Sequence, residues 1–145
     1  MKEKFKRAYM HTAKIFADLS YARRLKVGAI VVKEDRIISI GYNGMPSGWH
    51  NTCEDEVRSD DGGMILKTRP QVLHAERNAL DKLAKGNEGG AGSIMFITHA
   101  PCLECAKSIY GAGIIQVFYG EDYRSEDGIY FLKKCGVSVE KLLVN

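Results

Sequence analysis

The sequence predicts an α/β protein, a single domain over residues 1–145 built as three α-β-α layers around a mixed five-stranded sheet. Three observations predict it. Apolar residues recur at helical spacing in four separate segments. Runs of strand length, rich in β-branched residues, lie between them. A hairpin early in the chain is followed by strand–helix–strand crossovers, which calls for antiparallel and parallel pairing in one sheet with helices on both faces.

Residues 3–19 read as an amphipathic helix, with Phe5, Ala8, Tyr9, Thr12, Ala13, Phe16 and Leu19 on one face. VGAIVVK (27–33) and RIISIGYN (36–43) read as strands joined at Glu34-Asp35. A helix follows at 75–85, where Ala79, Leu80, Leu83 and Ala84 recur at helical spacing. SIMFITH (93–99) is a buried strand, and 103–112 a helix that ends near Gly113. IIQVFYG (114–120) is a strand, 126–135 a helix and GVSVEKL (136–142) a last short strand. The stretch 44–73 has no clear periodicity and is long for a connection within a compact domain. It carries Glu54-Asp55-Glu56, Asp60-Asp61 and Gly62-Gly63, and reads either as a solvated loop or as a lid or regulatory site.

Composition narrows the function classes. At 45% hydrophobic and 27% charged the chain is ordinary for a soluble globular protein. No apolar run approaches the ~20 residues of a membrane span. The N-terminal MKEKFKRAYM lacks the apolar core of a secretory signal, so a cytoplasmic setting is expected. The net charge of +3 is small for a nucleic-acid binder. Basic groups at Lys2–Arg7 and Lys133-Lys134 read as solvated faces, while Arg23, Arg24 and Lys26 are set aside as a candidate site.

Two short motifs carry the chemistry: His74-Ala75-Glu76 and Pro101-Cys102-Leu103-Glu104-Cys105. His74, Cys102 and Cys105 offer one imidazole and two thiolates, a good ligand set for Zn2+. Three protein ligands leave a tetrahedral zinc one open position, which marks a catalytic rather than a structural metal. Zinc lowers the pKa of water from 15.7 to roughly 7. Glu76, beside the metal but not bound to it, is the candidate for moving protons. His74 and Glu76 fall at the start of one helix, and Pro101 favours a second helix start at the cysteines. The partial positive charge of both helix ends favours thiolate and carboxylate.

Two plainer readings stay open. A structural zinc would take a fourth ligand from Cys53, Cys135, His50 or His99. A Cys102–Cys105 redox pair is the other. Neither gives a reason for Glu76 two residues after His74, or for Pro101 before the first cysteine.

The combined H-x-E and P-C-x-x-C pattern resembles the zinc-dependent nucleobase deaminases. Along nearly the whole chain, RRLKVGAIVV (23–32), GYNGMPSG (41–48), HAERNAL (74–80), THAPCLECAKSI (98–109) and GIIQVFYGEDYR (113–124) resemble the deoxycytidylate (dCMP) deaminases, in the style of a phage or bacterial member. The resemblance implies a cytidine-deaminase-like fold and hydrolytic deamination of dCMP to dUMP and ammonia, feeding thymidylate synthesis. It implies zinc on His74, Cys102 and Cys105, with Glu76 as the proton shuttle. Asn43 matches an asparagine that reaches the substrate sugar; the Ala75 N–H and a carbonyl near Ala100 would read the pyrimidine. The 5′-phosphate needs a cation, for which Arg23, Arg24, Lys26 and Arg124 are candidates, while Tyr119 and Tyr123 are candidates for lining the pocket.

Members of this family are commonly homohexamers, activated by dCTP and inhibited by dTTP at a second site with Mg2+. Gly41, Tyr42, Asn43 and Gly44 match the segment associated with that site. Some phage relatives carry a second, structural zinc; here Ala22 stands in the first of its cysteine regions, and a complete second site is not expected although Cys53 remains. The partners implied are small nucleotides, with neither nucleic acid nor membrane.

Overall fold

The chain runs α1 (Glu3–Ala17), β1 (Gly28–Lys33), β2 (Arg36–Tyr42), β3 (Glu54–Arg58), β4 (Met64–Thr68), α2 (Ala75–Ala84), β5 (Ile94–His99), α3 (Leu103–Gly111), β6 (Gln116–Glu121), α4 (Asp127–Lys134) and β7 (Ser138–Lys141). These elements come from a computed structural model that describes residues 1–144. Five strands form one sheet in the order β2-β1-β5-β6-β7. β1 pairs antiparallel with β2 and β5, whereas β5–β6 and β6–β7 are parallel. The expected mixed sheet is therefore present. In the β1–β2 turn Glu34 and Asp35 have φ of 51° and 60°, the doubly positive backbone that a two-residue hairpin requires.

Alternation along the strands sorts two cores. Ile30, Val32, Phe96 and Phe118 face α1, where Met10 and Ala13 meet them. Ala29, Val31, Met95, Ile97 and Val117 face the opposite layer, closed by Ala79, Leu80 and Leu83 of α2, Ile109 of α3 and Leu132 of α4. Burial on both faces is why these strands read as near-continuous apolar runs. Among the described residues, no helix is long and apolar enough to cross a membrane.

Two expectations are corrected. The buried stripe of α1 is Met10, Ala13 and Ala17, whereas Phe5 and Leu19 are 48% and 52% exposed. Gly28 of β1 lies against the Ala13 carbonyl and the Ala17 amide with no space for a Cβ. The docking face is thus chosen for small residues, not large ones. The stretch 44–73, read as a loop, contains the hairpin β3–β4, a separate two-stranded sheet. Its turn is closed by the Ser59 N–H donating to the Gly63 carbonyl at 2.7 Å, with Gly62 at φ +89°. Alternation does not reveal it because β3 is mostly charged and Met64 and Ile65 of β4 face solvent.

The helix that begins at the first motif is fastened to β2. The Ser39 hydroxyl donates to the Ala79 carbonyl at 2.6 Å, Asn78 Nδ2 to the Tyr42 carbonyl at 2.8 Å and Lys82 Nζ to the Ile40 carbonyl at 2.6 Å. Gly44 forms an antiparallel bridge to Leu73, the residue before His74.

Candidate active site

His74 is the N-cap residue of α2 and Cys102 that of α3, with Cys105 in the first turn of α3. The two helix starts converge. His74 Nδ1 lies 3.3 Å from Cys105 Sγ and 3.7 Å from Cys102 Sγ, and the three ligand atoms lie within 4.8 Å of one another. Tetrahedral zinc, with bonds of about 2.3 Å to sulfur and 2.05 Å to nitrogen, spaces its donors by about 3.6–3.8 Å. The donor set and its spacing therefore fit zinc. Cys53, Cys135, His50 and His99 stay outside this cluster, so the reading that adds a fourth protein ligand is corrected among the described residues. Ala22 and Cys53 instead pack with Val72 in a small apolar cluster against Met45.

The electrostatics suit a cation. Hydrogen bonding from Cys105, then from His74, lowers the Cys102 thiol to about 4. Cys105 moves the opposite way, raised by its bond to Cys102 and by burial. The His74 imidazole is raised, chiefly by its bond to Cys102. Glu76 is only 5% exposed, and burial pushes its carboxyl above the usual range. A carboxyl poised nearer neutrality can both accept and return a proton.

His74, Glu76 and Cys102 border a cleft of about 600 Å³, including its open mouth. Ala75, Glu76, His74 and Cys102 line it together with Asn43, Arg24, Ala100 and Tyr123. Of the four candidate cations, Arg24 is in the lining, with Nε donating to Thr68 Oγ1 at 3.2 Å. Arg23 points instead to Glu56, 3.3 Å away. Lys26 is exposed outside the lining, and Arg124 is exposed with its guanidinium over the Tyr123 ring at 5.6 Å. Tyr119 is likewise outside the lining. Both ends of the Asn43 carboxamide are engaged: Oδ1 accepts from the Val27 N–H at 2.9 Å and Nδ2 donates to the Leu25 carbonyl at 2.8 Å. Asn43 thereby shapes the cleft wall at 25–27.

The sequence reading did not place His99, Thr68 or Glu54 at this cleft, although all three line it. His99 bonds Glu121 Oε2 through Nε2 at 2.8 Å, and burial holds its imidazole below the ordinary range. Thr68 and Glu54 come from the unforeseen hairpin. Within the acidic run, Glu54 is 4% exposed rather than solvated. Its place in a run of three acidic residues, Glu54-Asp55-Glu56, hid it.

Residues 3–121 match the family model for the cytidine and deoxycytidylate deaminase zinc-binding region. The chain belongs to this family. Within it, the chain is 35% identical over 136 residues to ComE operon protein 2 of Bacillus subtilis, covering 92% of this chain and 69% of that protein. It is 38% identical to human deoxycytidylate deaminase over 125 residues, covering 82% of this chain and 66% of that enzyme. Among solved structures, the dCMP deaminase of cyanophage S-TIM5 in complex with dCMP and dUMP is 50% identical, with a TM-score of 0.88 and 98% and 99% of the two chains covered. The deaminase fold expected from the resemblance is thus present over nearly the full length.

Proposed function

We propose that this chain is a zinc-dependent dCMP deaminase, converting dCMP and water to dUMP and ammonia. The observation that carries the reading is the His74–Cys102–Cys105 cluster, with His74, Cys102 and the buried Glu76 lining a cleft that also holds Arg24. The 50% identity to a cyanophage enzyme whose complex contains dCMP and dUMP supports the substrate.

When bound, zinc supplies the Lewis acidity that makes water a competent nucleophile near neutral pH. Glu76 takes one proton of the attacking water and delivers it to ring nitrogen 3; it then takes the remaining proton from the hydroxyl added at carbon 4 and gives it to the departing amine, so that the C–N bond breaks to release ammonia and the carbonyl forms. Its burial keeps competing water away from that proton. The Ala75 N–H and the Ala100 carbonyl, both at the cleft, orient the pyrimidine through its oxygen and its amine. Arg24 holds the 5′-phosphate, a task suited to a planar fork of donors. Asn43 keeps one lone pair and one N–H beyond those that hold residues 25–27, enough to reach the sugar.

Regulation belongs to the same reading. A second cleft, about 960 Å³ including its mouth, is lined by Tyr42, Asn43 and Gly44 together with Trp49 and Lys82. It supports a site for dCTP as activator and dTTP as inhibitor, with Mg2+ on the triphosphate. A homohexamer working in the cytoplasm and supplying dUMP for thymidylate synthesis completes the account. Ammonia release from dCMP, deoxycytidine, dCTP and CMP, with and without added dCTP or dTTP, tests it. Strong preference for dCMP tuned by the triphosphates is expected. Turnover of deoxycytidine but not dCMP would refute the phosphate assignment, and indifference to the triphosphates would refute the regulation.

A further inference from the structure

The face of α1 turned away from the sheet carries apolar side chains left open to solvent. The core stripe of this helix is Met10, Ala13 and Ala17. Opposite it on the helical wheel stand Phe5, Ala8, Thr12 and Ile15, followed by Leu19 in the turn after the helix. Phe5, Ile15 and Leu19 are 48%, 63% and 52% exposed, and Ala8 is exposed as well. Thr12 adds no free polar group, because its hydroxyl donates to the Ala8 carbonyl at 2.8 Å. Apolar positions that alternate at three and four residues form the seam that one helix offers another. The sheet does not use this seam, since α1 docks by its small residues onto Gly28.

The charges on α1 say which helix covers it. Lys2, Lys4 and Arg7 crowd its N-terminal end, and Asp18 is its C-cap residue. Both signs oppose the helix's own dipole, which favours acids at the first turn and bases at the last. The two residues of the favoured sign are engaged elsewhere: Glu3 accepts from Lys6 at 3.1 Å, and Lys14 donates to the Val144 carbonyl at 2.9 Å. Lys4 flanks the seam, with its ammonium 5.5 Å from the Phe5 ring. Among the described residues, neither Lys4 nor Asp18 makes an ion pair. They lie about 21 Å apart along the helix axis and cannot meet within one chain. A second α1 running antiparallel satisfies both ends at once. Each basic N-terminal end then meets the partner's Asp18 and the negative pole of the partner helix. Phe5 lies over the partner's Leu19 and Ala8 beside the partner's Ile15, with Thr12 at the twofold axis. A parallel copy would set like charge on like. We infer that the outer face of α1 is a self-association surface, on which a second copy of this chain packs its own α1 antiparallel. The contact is isologous and fits within the homohexamer proposed above, a reading it deepens by naming the face and its register.

Analytical ultracentrifugation of the zinc-loaded protein tests it. The wild type should sediment as an even number of copies. Ile15→Glu, at an exposed position, should cut the mass to half or less while unfolding stays cooperative, and Phe5→Glu serves if Ile15→Glu does not fold. Lys4→Glu alone, or Asp18→Lys alone, sets like charges across the contact and should raise the dissociation constant at least about tenfold. The double variant Lys4→Glu/Asp18→Lys should restore it to near wild type. A role within the single helix gives no such rescue, because each swap alone suits the helix dipole better than the native residue does. A monomeric wild type would overturn this inference and the hexamer together. An oligomeric wild type whose mass withstands both Ile15→Glu and Phe5→Glu would leave the hexamer and overturn this face. Single swaps that weaken association without rescue in the double variant would overturn the antiparallel register.

Discussion

Gly41 on β2 lies directly against the Ala75 carbonyl at the start of α2, and a methyl group on Gly41 would overlap it and the Ala79 amide. Ala75 sits between His74 and Glu76. The glycine thus seats the peptide that connects His74 to Glu76. Gly44, at the other end of the same segment, is different: a Cβ there meets nothing within 4 Å. The Gly41–Gly44 segment therefore has a structural end and an open end, and the open end lines the second cleft.

Gly41→Ala is expected to destabilise the zinc-loaded protein by on the order of 3 kcal/mol, because the clash is with backbone that cannot yield cheaply. Thermal unfolding should show a fall of roughly 5–10 °C. Gly44→Ala should stay within about 0.5 kcal/mol of wild type. Similar midpoints for the two variants would contradict the packing argument. With its fold intact, Gly44→Ala also allows inhibition by dTTP to be measured apart from stability.

Glu76→Gln should keep its zinc and its fold while kcat for dCMP falls at least a hundredfold, the scale of positioned acid–base catalysis. Metal analysis beside steady-state kinetics checks both halves. A variant that keeps zinc and substantial turnover would reject Glu76 as the proton carrier.

Cys105→Ser should lose the metal, since this buried sulfur belongs to the cluster. Cys135→Ser, outside the cluster, should retain it. Because a bound metal also stabilises the folded state, Cys105→Ser and chelator-treated wild type should unfold at similarly lowered temperatures. Retention of one zinc per chain by Cys105→Ser would show that the ligand set is wrong.

The metal cluster was legible because it depends on residue types at short, fixed spacing: His74 and the Cys102–Cys105 pair each begin a helix, and local sequence marks both starts. The sheet was legible because its central strands are buried on both faces. What escaped depends on contacts distant in sequence. The small-residue face of α1 answers to Gly28, and nothing within the helix announces it. The burial of Glu54 answers to the amides of Arg23 and Arg24, about thirty residues earlier, while its neighbours Asp55 and Glu56 are ordinary exposed acids paired with Arg69 and Arg23. Arg24 could be separated from Arg23, Lys26 and Arg124 only once the cleft was in view.

Conversion of dCMP to dUMP by the purified protein, before and after removal and restoration of zinc, tests the central claim most directly. The account predicts turnover that disappears with the metal and returns with one equivalent of zinc per chain. Undiminished turnover in the metal-free protein, or none after full zinc loading, would contradict it.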